Sequence, residues 1–382
     1  MQGQPQTGSV GLVSTSTVRL FTAEAPLHLE RGGTLGPVDV AYETYGTLSP
    51  AADNAVFVCH ALTGDAHAAG FHEGASRPGW WDNLIGPGKP LDTDRFFVIC
   101  ANLIGGCQGS TGPSSIDPAT GTAYGLHFPV LMVRDLVEVH RALVKHLGIT
   151  RLLAALGGSL GGMQVLQWAV DHPDEIANAL VIAASSRLTA QNIAFSAVAR
   201  RAIMTDPNFV DGAYAEAGVN PDTGLSIARM MAHITYLSEG ALTEKFGRAP
   251  HPERHEPGFG IDFAVESYLD HQGQAFLERF DALSYLYLTR VMDYFDPFAE
   301  HDALDAVRQC PVKWLVLSFE TDWRFGTDHS RRIVRALEHA GQPVTFREIP
   351  STWGHDSFLL AVEPYHATLR AFLDRALEEV SS

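Results

Sequence analysis

The segment Gly157-Gly-Ser-Leu-Gly-Gly-Met-Gln164 carries the strongest chemical signal in the sequence. Gly157, Ser159 and Gly161 form Gly-x-Ser-x-Gly. The motif follows the apolar run Leu152–Leu156 and precedes a helix-like run that ends at His172. A sharp strand-to-helix turn lifts such a serine out of the chain with its hydroxyl exposed, and small neighbours are needed because the turn leaves no room for side chains. The next N–H, from Leu160, then points to where an oxyanion would form. Without that strand and helix context the motif could equally be a tight structural turn. Here the context predicts a nucleophile at Ser159.

A nucleophilic serine needs a base and an acid that orients it. In sheets that carry such a serine, the order along the chain is Ser, then Asp or Glu, then His. Asp322 follows the apolar run Val312–Leu317, and His355 follows the run Val344–Ile349. Both therefore sit past strand ends, on the same sheet edge as Ser159. Asp322 is the expected acid and His355 the expected base, with Glu320 as the competitor for the acid. A second oxyanion donor should come from the loop after an earlier strand. Ala55–Cys59 leads into His60-Ala-Leu-Thr-Gly-Asp65, which makes the Leu62 N–H the candidate. His60, His67 and His72 match no compact zinc spacing, so no metal is expected. On a helix-like stretch, Arg229, His233 and Tyr236 share one face at i, i+4 and i+7. An arginine there calls for a carboxylate or phosphate, or for a salt bridge within its own subdomain.

The elements that must position these groups are short apolar runs over Val38–Tyr45, Ala55–Cys59, Phe96–Cys100, Leu152–Leu156, Ala179–Ala183, Val312–Leu317 and Val344–Ile349. Most are continuous rather than alternating, as in strands covered on both faces. Helical spacing recurs between them, as in Leu136, Val137, His140, Leu143, Val144 and Leu147, which Gly148 should cap. Alternation of this kind predicts an α/β fold with a mostly parallel sheet and helices on both faces. The alternation breaks at residues 187–297, where helical spacings predict an inserted helical cap over a core of 16–186 and 298–382. A polar loop over Arg248–Gly260 interrupts the cap. Residues 1–15 read as a loose tail.

The 382 residues carry 27 Lys and Arg against 44 Asp and Glu, a formal net charge of −17. No basic cluster interrupts this acidity, so a nucleic-acid partner is not expected. With 46% hydrophobic residues the chain can fill a large core, and no apolar run approaches membrane-spanning length. Cys59, Cys100, Cys107 and Cys310 show no paired spacing and read as free thiols in a reducing cytoplasm.

Several blocks together resemble homoserine O-acetyltransferases of the α/β-hydrolase-fold type: Cys59-His-Ala-Leu-Thr-Gly-Asp-Ala-His67, the Ser159 block, Gly105–Pro113, Gln191–Phe195, Gly224–Tyr236, Ser284–Arg290 and Gly354-His-Asp-Ser-Phe358. The resemblance runs from about Val38 to the C-terminus. Leu160 stands where a methionine is common in that family, and Trp323-Arg-Phe-Gly326 replaces a more apolar, Pro-rich run. Both departures bear on the acyl group. The resemblance implies acetyl-CoA as co-substrate with no cofactor, L-homoserine as acceptor, and a cytoplasmic homodimer joined through the cap in methionine biosynthesis. It also implies that Arg229 binds the homoserine carboxylate and Asp356 its ammonium, with Tyr236 shaping the pocket. A succinyl donor, a serine acceptor or a plain serine esterase would use the same fold.

Overall fold

The computed structural model describes residues 8–252 and 258–381. The first seven residues of the expected tail and residues 253–257 of the polar loop lie outside the described residues. Eight strands form one sheet: β1 (Ser16–Phe21), β2 (Val38–Tyr45), β3 (Ala55–Cys59), β4 (Phe97–Ala101), β5 (Leu152–Gly158), β6 (Ile176–Ile182), β7 (Lys313–Phe319) and β8 (Val344–Ile349). Their spatial order is β1-β2-β4-β3-β5-β6-β7-β8. Within this sheet, among the described residues, β2 pairs antiparallel with β1 and with β4, and the other pairings are parallel. This is the α/β-hydrolase arrangement.

All residues of β3 and β5 are buried, as their unbroken apolar runs require. The edge strand β1 was not anticipated. Its residues are exposed or half-buried, so burial leaves little apolar signature in Ser-Thr-Val-Arg-Leu-Phe. Other strand ends shift by one to three residues from the apolar runs, because sheet pairing extends past the apolar stretch.

Helices α1 (Val133–His146) and α2 (Leu160–Asp171) cover one face and share its core with the cap. Gly148 ends α1 at φ 77°; its N–H bonds to the Lys145 carbonyl, and the Ile149 N–H bonds to that of Val144. That is a Schellman cap, as Gly at this position suggested. On the opposite face, Trp81 and Leu84 from the loop after β3 pack with Tyr365, Leu369 and Leu373 of the C-terminal helix Glu363–Ser381.

Between β6 and β7 the chain builds the cap from α3 (Ala190–Met204), α4 (Asp222–Tyr236), α5 (Glu239–Phe246), α6 (Ala264–Leu277) and α7 (Ala282–Asp293), with shorter turns between. Helix α4 packs against both α3 and α6. Its C-terminal end is tied to the core. Ser238 Oγ donates to the Thr352 carbonyl at 2.5 Å, and Trp323 Nε1 donates to the Leu237 carbonyl at 2.9 Å. One helix therefore touches the loops that follow both β7 and β8.

The described part of the expected tail is attached rather than loose. Val13 and Gly11 exchange backbone hydrogen bonds with Phe71, and Thr15 Oγ1 donates to Glu43 at 2.8 Å. No helix among the described residues is long and apolar enough to cross a membrane.

Candidate active site

Ser159 sits at φ 59°, ψ −123°, a conformation that costs a non-glycine residue about 1–3 kcal/mol. The glycines around it explain how the turn closes. A Cβ on Gly161 would lie 2.0 Å from the Cys59 carbonyl oxygen, and one on Gly157 would lie 2.5 Å from Gly161. A Cβ on Gly158 would strike the Phe358 ring at 2.3 Å, and one on Gly162 would meet Ala184 at 2.7 Å. The β5–α2 turn is thus wedged between β3, β6 and the segment after β8, and the Ser159 N–H is held by the Ile182 carbonyl.

The structure brings Ser159, Asp322 and His355 together. His355 Nε2 lies 2.9 Å from Ser159 Oγ, and His355 Nδ1 lies 2.7 Å from Asp322 Oδ2. The Asp322 carboxylate can only accept, so Nδ1 carries the proton and Nε2 is free to take one from Ser159. Asp322 Oδ1 accepts from the Arg324 and Phe325 N–H groups at 3.0 and 2.9 Å. All three side chains are buried. Glu320 is exposed, and the carboxylate bonded to the imidazole Nδ1 is that of Asp322. Thr321 fixes the base loop instead, accepting the Gly354 N–H and donating to the Ser351 carbonyl.

Leu160 is the first residue of α2, so its N–H has no partner within the helix. The Leu62 N–H also makes no hydrogen bond among the described residues. The loop that carries Leu62 is anchored from beneath. Gln164 Nε2 donates to the His60 and Leu160 carbonyls, and Gln164 Oε1 accepts from His140 Nε2. His60 Nε2 accepts the Leu103 N–H, which leaves its Nδ1–H to bond the Ala61 carbonyl. Burial lowers the pKa of both histidines, His140 to about 4. His60 is thus a structural clamp, whereas His67 and His72 converge elsewhere, on Glu43. Each donates to one Glu43 oxygen, at 3.1 and 2.7 Å, and Tyr45 and Thr15 add further hydrogen bonds. The three candidate ligand atoms lie within 4.8 Å of one another. Glu43 was not visible as their partner because it lies on a distant strand.

The cap supplies a second set of polar groups. The Tyr236 ring centroid is 5.9 Å from that of His355. Arg229 lies over Phe276 at 4.7 Å and donates to Thr63 Oγ1 at 3.4 Å, next to Leu62. Its Nε is buried without a partner, and among the described residues it has no ion pair. The Asp356 carboxylate follows the base directly and likewise has no hydrogen bond among the described residues. Burial raises its pKa, against the pull of His355 and Arg229. Sequence reasoning missed three other groups: Arg279, which shares Phe276 with Arg229 and donates to the Thr63 carbonyl at 2.9 Å; Tyr268; and Arg324. Arg324 is 7% exposed, donates to Thr235 at 2.7 Å and lies over the Tyr236 ring at 5.3 Å, yet it has no acidic partner among the described residues. Its unusual sequence block was the available signal.

The free thiols are Cys59, Cys100, Cys107 and Cys310. Burial pushes Cys59 and Cys100 upward and raises Cys107 to about 11, so these three are poor nucleophiles.

Residues 54–362 match the model of the α/β hydrolase fold family. The chain is 59% identical over 367 residues to a homoserine O-succinyltransferase of Nocardioides sp., covering 96% of this chain and all of that protein. It is 54% identical over 359 residues to a homoserine O-acetyltransferase of Caulobacter vibrioides, covering 93% and 94%. Among solved structures, a homoserine O-acetyltransferase from Bacillus anthracis superposes with a TM-score of 0.86 at 28% identity, over 95% of this chain and 98% of that one. A solved esterase reaches 0.85 at 27% identity, over 94% and 100%. Taken with the sheet order and the Ser159 turn, these likenesses show that the chain belongs to the homoserine O-acyltransferase family of the α/β-hydrolase fold.

Proposed function

We propose that the protein moves an acyl group from an acyl-CoA to the hydroxyl of L-homoserine through an acyl-Ser159 intermediate, as a step toward methionine. His355 takes the Ser159 proton as Oγ attacks the thioester carbonyl. The Leu62 and Leu160 N–H groups stabilise the oxyanion, and the coenzyme A thiolate leaves with the proton from His355. The homoserine hydroxyl then gives its proton to His355 and attacks the acyl ester. Collapse of the second oxyanion releases the product and returns the proton to Ser159. Arg229 holds the acceptor carboxylate and Asp356 its ammonium. The observation that carries this reading is the pair of opposite charges, neither with an ion pair among the described residues, beside a complete Ser-His-Asp array. A simple esterase has no need of that charged pair.

The resemblance implied acetyl as the acyl group. Arg324 supports succinyl instead. A buried guanidinium without an anion is costly, and a cation–π contact with Tyr236 offsets only part of that cost. The distal carboxylate of a succinyl group would complete the pair, whereas an acetyl group would leave it empty. Thiol release from succinyl-CoA and acetyl-CoA, each with homoserine, serine or water, tests the whole reading. Succinyl-CoA with homoserine should be the fastest pair by at least about tenfold. Equal rates with water would make the protein a thioesterase.

The family reading also carries a cytoplasmic homodimer joined through the cap. Ile193 and Val198 on α3 and Ile227 and Ile234 on α4 are exposed, which supports that surface as the interface. Sedimentation should give a dimer mass, and Ile234→Glu should shift it toward monomer.

A further inference from the structure

Arg229 and Asp356 are not the only open groups beside the triad. His233 lies one turn after Arg229 on α4 and is 7% exposed. Its Nδ1 is 3.2 Å from the Tyr268 hydroxyl on α6. Its Nε2 is buried and has no hydrogen-bond partner among the described residues. Its ring meets the edge of Tyr236 at 5.9 Å, and Tyr236 in turn faces His355. The imidazole therefore lies against Tyr268 and Tyr236, with one nitrogen engaged and the other buried without a partner among the described residues.

Burial, more than any neighbour, decides its protonation: it lowers His233 to about 3, and the nearby charges of Arg229, Arg279 and Lys245 add to the effect. The ring is neutral at any working pH, so one nitrogen carries a proton and the other a lone pair. When Nδ1–H donates to Tyr268, Nε2 is the lone pair. Burial raises the Tyr268 pKa, and the Asp356 charge adds to that rise. Tyr268 thus connects His233, which it bonds, with Asp356, whose charge it feels. An ammonium has three N–H donors, and one carboxylate seldom satisfies all of them.

We propose that His233, oriented by Tyr268, is a second specificity-determining group of the acceptor subsite, its Nε2 lone pair accepting a hydrogen bond from the α-ammonium of the amino-acid acceptor beside Asp356. This rests on the reading of Arg229 and Asp356 as the acceptor clamp. The role explains why a helix face so well buried keeps an imidazole with an open nitrogen. It also gives the enzyme a way to prefer an amino acid over a hydroxy acid of the same length. Protonated His233 could not serve, and burial, helped by the three nearby cations, keeps it neutral.

The test is the ratio of kcat/KM for homoserine to that for 4-hydroxybutyrate, which keeps the hydroxyl and carboxylate but lacks the ammonium. Two variants separate the ring nitrogens. In His233→Asn the amide falls near Nδ1 and keeps the Tyr268 bond; in His233→Gln it reaches the Nε2 position. Loss of a hydrogen bond to a charged group should cut the ratio about tenfold or more in His233→Asn, through KM for homoserine. His233→Gln should restore most of it. The proposal is overturned if His233→Asn keeps the wild-type ratio, or if both acceptors weaken equally in both variants. Rescue by Asn but not by Gln would assign His233 to packing alone. If the wild type releases no thiol from either acyl-CoA, the acyltransferase reading fails first, and this assignment with it.

Discussion

The two halves of the active site differ in how fully their polar groups are satisfied. On the core side, the His355 nitrogens reach Ser159 and Asp322, and both Asp322 oxygens are taken. On the cap side, Arg229 Nε, His233 Nε2 and the Asp356 carboxylate have no partner among the described residues, and Arg324 has no anion. On the proposed function, this contrast separates chemistry from recognition. The groups to be oriented before substrate arrives are those the fold locks, and the groups assigned to substrate keep unsatisfied atoms for it to complete. Both sides meet at α4, whose C-terminal end is hydrogen-bonded to the acid and base loops.

Changes on the locked side should have the largest effects. Ser159→Ala and His355→Ala should each reduce thiol release by about 10⁴-fold or more, with little effect on folding. Asp322→Asn should cost about 10²–10⁴-fold, because it disturbs the tautomer and orientation of His355. If Glu320→Gln were the slower enzyme, Glu320 and not Asp322 would be the acid that orients His355.

Changes on the open side should alter selection more than chemistry. Arg229→Ala should raise KM for homoserine by about 10–100-fold and slow transfer far more than it slows the first thiol release. Arg324→Leu should reduce kcat/KM for succinyl-CoA by about tenfold or more while acetyl-CoA changes less. A loss shared equally by both donors would make Arg324 a structural cation and remove the argument for succinyl.

The smallest effect concerns stability and falls on the support beneath the locked side. His140 is buried beneath the His60–Asp65 loop with its pKa lowered to about 4, below the 6.5 of an ordinary histidine. Between those values the unfolded chain binds more protons than the native one. Stability should therefore fall as pH drops from about 6.5 to about 4, by up to roughly 3 kcal/mol from this group. Urea midpoints across that window should decline, and His140→Gln should flatten part of the decline. A midpoint that rises toward acid would contradict the assignment.

The locked side was legible in the sequence because its constraints are local. The Ser159 turn demands glycines within a few residues, and the acid and base each follow a recognisable apolar strand. On sequence Asp322 was only the favoured acid, with Glu320 as competitor, because the choice depends on how the loop after β7 bends toward His355. The open side was only partly legible. Arg229, His233 and Tyr236 share a helical period, but Tyr268, Arg279 and Arg324 reach the same pocket from other elements, and their approach is set by cap packing. Glu43 illustrates the same limit, since its partners His67 and His72 come from a loop beyond the next strand. The edge strand β1 escaped notice because exposure leaves it no apolar signature.

In the proposed mechanism Ser159 carries the acyl group, and homoserine, not water, removes it. Rapid mixing with succinyl-CoA, quenching and mass analysis of the peptide bearing Ser159 tests this directly. The account predicts a succinyl adduct on Ser159 that persists in buffer and disappears on addition of L-homoserine as O-succinylhomoserine forms. An adduct on a cysteine, no adduct on Ser159, or a Ser159 adduct that water discharges as fast as homoserine would contradict it.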